Sequence, residues 1–262
     1  MENQTKLNIT GIIPARYGST RFPGKPLAII GGKPMIIHVW EQSAKALKDV
    51  YVATDDERIM KTVERSGGKA VMTSSSHRSG TDRCAEAVRI IEKISGRKTD
   101  VAVNIQGDEP FITPELINLL ASCFNDREVE IATLICRVKR GENLADPNHP
   151  KVVVALNGDA LYFSRSVIPF IRDADKPDWL SRHTFYKHIG IYAYRKETLF
   201  AITALSPGML EIAESLEQNR WLENGYRIRT AVTSWESISI DTPADLEAAK
   251  KYYEKLISEE EM

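Results

Sequence analysis

Two hydrophobic periods alternate along the first half of the chain. Short apolar runs at 9–13, 50–53, 69–72 and 101–105 have the length and composition of buried strands. Between them apolar residues recur every three to four positions. Residues 34–47 predict a helix with Pro34 in its first turn and Ile36, Ile37, Trp40, Ala44 and Leu47 near one face. A second helix, 57–66, stops at Gly67-Gly68. A third runs from a cap at Thr81 or Asp82 to about Ile94, and Thr113-Pro114-Glu115 opens a fourth. This alternation predicts a mostly parallel α/β sheet with helices on both faces. Ligands of such sheets bind beyond the carboxyl ends of the strands, so the loops at 14–25, 54–56, 73–82 and 106–110 are expected to converge on one crevice.

The second half departs from that rhythm. Runs at 131–137, 152–156, 160–163 and 188–194 read as strands, and Asn157-Gly158-Asp159 is a hairpin turn signal. An antiparallel excursion over about 140–190 follows. Ile189, Ile191 and Ala193, alternating with Tyr192 and Tyr194, read as a half-exposed strand. Residues 209–224 predict one helix, 226–232 a strand, and 243–257 the last helix. No repeat or linker divides the chain, so residues 1–262 are expected to form a single domain carrying the excursion.

The loop after the first strand brings candidate chemistry. The strand is expected to break at Pro14, and Arg16, Gly18, Ser19, Arg21, Gly24 and Lys25 follow. Small residues let backbone N–H groups approach an anion, and fixed positive charges neutralise it. The spacing matches neither common phosphate loop: Lys25 is followed by Pro26, and there is no G-x-G-x-x-G. Counting Gly and Lys alone, a Gly/Pro-rich surface loop is the simpler explanation. Asp108, just past a strand end, suits a divalent metal beside phosphate oxygens, or a turn in which it binds nearby N–H groups. Asp241 stands before a Pro-initiated helix, where either Asp241 or Thr242 suits the cap. Residues 76–83, with Arg78 and Ser79, suit a capped helix or an anion contact. By pattern alone His188 fits a structural histidine, Tyr192 a packing aromatic, and Glu217 a solvated helix charge.

Composition narrows the classes. The chain has 35 basic and 36 acidic side chains, a net charge of −1, which gives no bulk attraction to nucleic acid. A 42% apolar content supports a substantial core. Cys84, Cys123 and Cys136 form no C-x-x-C and are odd in number, which argues against a disulfide framework. The polar first six residues lack a signal-peptide core, and no window approaches 18 consecutive apolar residues. No membrane insertion and a cytoplasmic location are the expectation.

Taken whole, residues 14–27, Pro-Ala-Arg-Tyr-Gly-Ser-Thr-Arg-Phe-Pro-Gly-Lys-Pro-Leu, resemble the signature loop of the CMP-Kdo synthetases, the 3-deoxy-manno-octulosonate cytidylyltransferases. The resemblance runs from about Ile12 to Leu246. It continues through Ser79-Gly80-Thr81-Asp82-Arg83, Gln106-Gly107-Asp108-Glu109-Pro110, Tyr162-Phe163-Ser164-Arg165, His188-Ile189-Gly190-Ile191-Tyr192, Leu216-Glu217-Gln218 and Asp241-Thr242-Pro243, in the family's order. One departure is Asn219, where the family carries an apolar residue, which puts local packing in question.

The resemblance implies a Rossmann-like nucleotidyltransferase sheet and transfer of CMP from CTP to the anomeric hydroxyl of Kdo, with release of pyrophosphate, in lipopolysaccharide synthesis. It implies that Arg16, Gly18, Ser19, Lys25, Arg78 and Ser79 meet the nucleotide. Asp108 and Asp241 would hold Mg²⁺. Gln106, Arg165, His188, Tyr192, Glu217 and Gln218 would orient the sugar, and Arg16, Lys25, Asp108 and Asp241 would carry catalysis. No side chain is assigned as a general base. A homodimer is expected, with the excursion as its interface. Two rivals stand beside this reading: transfer to a related acidic sugar, 8-amino-Kdo or a nonulosonic acid, and a nucleotide-binding regulator without transfer chemistry.

Overall fold

The computed structural model describes residues 7–19, 21–236 and 238–260. The polar N-terminal six residues and Thr20 of the basic loop lie outside the described residues. In chain order the elements are β1 (Ile9–Ala15), β2 (Ile29–Ile30), β3 (Lys33–Pro34), α1 (Met35–Ala46), β4 (Asp49–Thr54), α2 (Glu57–Arg65), β5 (Lys69–Met72), α3 (Gly80–Ser95), β6 (Val101–Asn104), α4 (Pro114–Ser122), β7 (Ile131–Arg137), β8 (Lys151–Val154), β9 (Ala160–Ser164), α5 (Trp179–Arg182), β10 (Tyr186–Arg195), α6 (Lys196–Thr203), α7 (Met209–Glu214), α8 (Glu217–Glu223), β11 (Ile228–Thr233) and α9 (Pro243–Glu260). They fall into two compact units, residues 1–118 with 237–262, and residues 119–236.

In the first unit the strands run parallel in the order β6-β1-β4-β5. Ile12, Ile13, Val52, Val101 and Val103 are fully buried, as expected of strands covered on both faces. The strand does not break at Pro14: β1 continues to Ala15, pairing with β4 through Ala15↔Thr54. The Ile12 carbonyl accepts from Ile105 N–H on the β6 side. Pro14, two residues on, points the same way, but pairing with β6 ends at Ile12↔Asn104, so its missing N–H costs no ladder bond. Pro34 likewise closes β3 and precedes α1 rather than standing in its first turn.

A second apolar cluster fixes the basic loop. Ile30, Met35, Ile240 and Ala249 are buried together, with Phe22, Phe111, Leu246 and Tyr253 packed against them. The end of that loop and the segment before α9, more than 200 residues apart in sequence, thus share one core. Gly31 permits it: its φ is +52°, and an added Cβ would lie 1.8 Å from the Tyr253 ring.

In the second unit β7 pairs with β11 in parallel and with β10 antiparallel, while β8 pairs antiparallel with β10 and β9. The mostly parallel α/β class with antiparallel strands is as expected, and Gly158, at φ +87°, makes the β8–β9 turn. Two expectations are corrected. β10 is not half-exposed: Tyr192 and Tyr194 stack on each other under the edge of Trp221 from α8, and residues 191–194 are all buried. The helix over 209–224 is two helices, because Ser215 adopts φ +51° between α7 and α8.

Candidate active site

In the first unit a cleft of about 290 Å³ lies at the carboxyl ends of β1 and β6. Arg16, Ser19, Arg21, Lys25, Arg78, Ser79, Gln106, Asp108 and Asp241 all line it. Lys25, led in by Gly24 at φ +73°, donates from Nζ to Asp108 Oδ2 at 2.8 Å and to Asp241 Oδ1 at 3.1 Å. Arg21 Nη2 reaches the same Asp241 oxygen at 3.2 Å. One ammonium, 13% exposed, therefore stands where two carboxylates from distant segments meet.

Local structure explains why those carboxylates are available. Asp241 is not the cap of α9. Thr242 Oγ1 accepts from Asp245 N–H, and Asp245 Oδ2 accepts from the N–H groups of Asp241 and Thr242, a reciprocal capping box. Those bonds hold the Asp245 carboxyl below its ordinary pKa. With the cap supplied by Thr242 and Asp245, the Asp241 carboxylate turns to Lys25 and Arg21. Asp108 is brought alongside by its own carbonyl, which accepts from Ile240 N–H at 3.0 Å.

Gly107 lets that turn close. An added Cβ would stand 2.6 Å from the Pro14 carbonyl oxygen, a backbone atom with little freedom to retreat. Gly107→Ala is expected to cost about 2 kcal/mol of stability and to displace Asp108 from Lys25. A thermal melt several degrees below wild type, with a larger loss in turnover, is the expected measurement.

The other loop residues sit less simply. Ser79, not Thr81 or Asp82, caps α3, accepting from Asp82 N–H at 3.1 Å. Arg78 and Arg16 lie exposed on the wall. Gly18 is open, and Ser19 N–H donates to the Tyr17 carbonyl at 3.0 Å, so that amide must change partner to meet a phosphate. The loop at 54–56 stays outside the cleft lining and acts from behind. Buried Arg83, given no role by sequence, ties Asp55 at 2.9 Å and Thr73 at 2.6 Å.

The second unit gathers the remaining predicted residues. A bulge in β10 against β7 between Ile189 and Tyr192 frees two carbonyls, and Thr133 Oγ1 approaches both, Ile189 at 3.2 Å and Ile191 at 2.7 Å. The hydroxyl has one proton, and the shorter bond takes it. His188 Nε2, 3.0 Å from the same oxygen, is therefore the donor, leaving Nδ1 as an acceptor. The His188 ring lies against Phe163 and Tyr192, and burial pushes its pKa down to about 3. Burial, reinforced by the Glu217 charge, raises that of Tyr192 well above the ordinary phenol.

Between its ordinary value near 6.5 and about 3, His188 binds a proton in the unfolded chain but not in the folded one. Stability rises with pH wherever the unfolded chain binds more protons, so acidification below about 6.5 removes up to about 1.4 kcal/mol per pH unit. Urea midpoints taken from pH 7 to 4 should fall less steeply for His188→Gln than for wild type.

Glu217 and Gln218 open α8. Glu217 is held by Arg220 at 2.9 Å, and Gln218 is buried with its Nε2 lacking a hydrogen-bond partner among the described residues. Such an orphan is expensive unless a ligand completes it. Asn219 is satisfied at one end: its Nδ2 donates to the Phe163 carbonyl at 2.9 Å, so the departure from an apolar residue ties α8 to β9. Sequence reasoning missed Glu214, which accepts from Ser164 and from the Arg165 backbone. An acid on a surface helix carries no signal for that role.

A cytidylyltransferase family model matches residues 10–256. A 3-deoxy-manno-octulosonate cytidylyltransferase of Bacteroides thetaiotaomicron is 57% identical over 94% of this chain and 98% of its own. The chain belongs to the CMP-Kdo synthetase family. Within the same family's reach, an 8-amino-3,8-dideoxy-manno-octulosonate cytidylyltransferase of Shewanella pealeana is 49% identical over 92% of this chain and 96% of its own. A solved CMP-Kdo synthetase (CMP:2-keto-3-deoxy-manno-octonic acid synthetase) complexed with CTP superposes with a TM-score of 0.85 at 42% identity, covering 95% of this chain and 99% of that one. Among the described residues, no helix is long and apolar enough to cross a membrane.

Proposed function

We propose that the enzyme transfers CMP from CTP to Kdo, releasing pyrophosphate, in the cytoplasmic supply of activated sugar for lipopolysaccharide. The observation that carries the reading is the meeting of Lys25, Asp108 and Asp241 in one basic cleft.

Arg16, Lys25 and Arg78, with the loop amides near Gly18 and Ser19, take the triphosphate. Charge gathering on the departing pyrophosphate is neutralised by Arg16 and Lys25. The C2 hydroxyl of Kdo attacks the α-phosphorus and pyrophosphate leaves in line, a reaction that needs positioning and charge more than covalent help. In the second unit Arg165 takes the sugar carboxylate through its planar fork. Neutral His188 accepts at Nδ1 from one sugar hydroxyl, and the protonated Tyr192 hydroxyl donates to the oxygen of another. Glu217 and Gln218 receive further hydroxyls, as does Gln106 on the cleft wall.

The donor set suits magnesium. Among the described residues no three His, Cys, Asp or Glu side chains cluster for a metal. Asp108 and Asp241 nevertheless converge on one cation, and two hard oxygen ligands with phosphate and water completing the shell is how Mg²⁺ is usually held. When bound, Mg²⁺ screens the triphosphate and polarises its oxygens.

Pyrophosphate release from CTP, Mg²⁺ and Kdo tests the reading. CTP binding without turnover on any acidic sugar supports the regulator instead. The 8-amino-Kdo enzyme at 49% identity makes that sugar the nearest rival substrate, and the ratio of kcat/KM for the two sugars decides between them. A homodimer is part of the proposal, through the excursion's Leu156, Leu161 and Phe170, which are 111%, 60% and 71% exposed. Light scattering should give twice the chain mass, and Leu156→Asp with Leu161→Asp should halve it.

A further inference from the structure

Arg165 is gripped by backbone rather than by a carboxylate. Its Nε donates to the Glu214 carbonyl at 2.7 Å, Nη1 to the Pro147 carbonyl at 2.8 Å and Nη2 to the Ser215 carbonyl at 3.3 Å. Among the described residues three of its five N–H groups are used, which leaves two for an incoming anion. The Glu214 carboxylate goes elsewhere: Oε2 accepts from the Arg165 backbone N–H at 2.9 Å, and Oε1 from Ser164 Oγ at 2.6 Å. The Tyr162 hydroxyl also points to Oε1, at 3.4 Å. Those bonds hold the Glu214 carboxyl below its ordinary pKa against the opposing effect of burial.

The break at Ser215 makes this grip possible. In a continuous helix the carbonyls of Glu214 and Ser215 would accept from the N–H groups of Gln218 and Asn219. With Ser215 at φ +51°, Asn219 N–H turns to the Leu216 carbonyl instead, and both freed carbonyls face the guanidinium. A non-glycine residue in the left-handed region is strained, and such strain persists where the surrounding contacts hold it.

We propose that Glu214 is a positioning residue for the acidic sugar: it holds Arg165 by side chain and backbone together while leaving the guanidinium's charge for the sugar carboxylate. This rests on the reading of Arg165 as the carboxylate-binding group. Glu214 touches no reacting atom and acts through Arg165 alone.

The test is steady-state kinetics on the full-length enzyme with CTP and Kdo each varied. Glu214→Ala should raise KM for Kdo about 10-fold or more and leave KM for CTP within about twofold. Glu214→Asp keeps the charge but is one methylene too short to span both partners, so it should show the same split, and it carries the test if the alanine variant fails to fold. Glu214→Gln keeps the length and one acceptor oxygen for the Arg165 N–H, and its amide NH₂ can donate to the Ser164 hydroxyl in place of the lost acceptor, so it should restore KM for Kdo to within about threefold. The double variant Glu214→Ala with Arg165→Ala should be no worse for Kdo than Arg165→Ala alone. Unchanged Kdo KM in the Ala or Asp variant, equal rises for both substrates, or multiplying effects in the double variant overturn the proposal while the carboxylate reading stands. An Arg165→Ala enzyme with unchanged Kdo KM overturns both.

Discussion

Lys25→Met is expected to lower kcat by about 10²- to 10³-fold, the usual consequence of removing one charge-stabilising donor from a phosphoryl-transfer site. The fold should survive, because Lys25 opens a short helical turn anchored by buried Pro26 and by Phe22 in the neighbouring apolar cluster. A second effect goes the other way. The Lys25 ammonium occupies the point where Asp108 and Asp241 meet, at 2.8 and 3.1 Å. A cation competing for that position must first displace it. Methionine removes the competitor and leaves two carboxylates whose one remaining ion pair among the described residues is with Arg21, which lies 65% exposed and 3.2 Å from Asp241. Nucleotide-free protein should therefore bind Mn²⁺ or Mg²⁺ more tightly as Lys25→Met than as wild type, by calorimetry or by the Mn²⁺ electron-spin signal. Near-normal turnover would remove Lys25 from the mechanism. Reduced turnover with unchanged metal affinity would show that the lysine and the metal do not share a position.

How far the site was legible in the sequence follows from how local each cause is. The parallel strands of the first unit were readable because a strand buried on both faces leaves an unbroken apolar run. The cleft loops were readable because each stands just after such a run or just before a Pro-started helix, but pattern alone left their residues as surface charges, turns or caps, and the family resemblance supplied the roles of Arg16, Lys25, Asp108 and Asp241. The convergence of those loops follows from the parallel sheet, but the arrival of Asp241 beside them does not, since it depends on Ile240 and Ala249 sharing a core with Ile30 and Met35, and no local pattern records that. The capping of α9 shows the same limit: Asp241, Thr242 and Asp245 all suit a helix N-terminus, and only geometry assigns the box to the last two. The expectation of a single helix over 209–224 missed Ser215 because serine carries no sign of a positive φ; glycine there would have given it away. Half-exposed β10 was misread because its tyrosines pass for polar residues, whereas their rings pack under Trp221.

Replacing both carboxylates, Asp108→Asn with Asp241→Asn, should reduce turnover by at least as much as losing Lys25, and the two single changes should not add. On the proposed reading each aspartate is one arm of a common site; once one arm is neutral, the cation between them is held too weakly for the other to matter fully. A single Asn keeps the shape and still accepts from Lys25, so Asp108→Asn alone is expected to retain the melting temperature of wild type while shifting the Mg²⁺ activation curve to higher concentration. Asp241→Asn differs in one respect: Arg21 also loses the charge that neutralised it, so its guanidinium leaves an unbalanced positive charge on the wall and opposes a metal there. The Mg²⁺ requirement should therefore rise more for Asp241→Asn than for Asp108→Asn, and adding Arg21→Gln should narrow that gap. Titrating Mg²⁺ at saturating CTP and Kdo in all four backgrounds measures the ranking. Equal, unchanged activation curves would mean that neither aspartate holds the metal, and the pair would then serve only to seat Lys25.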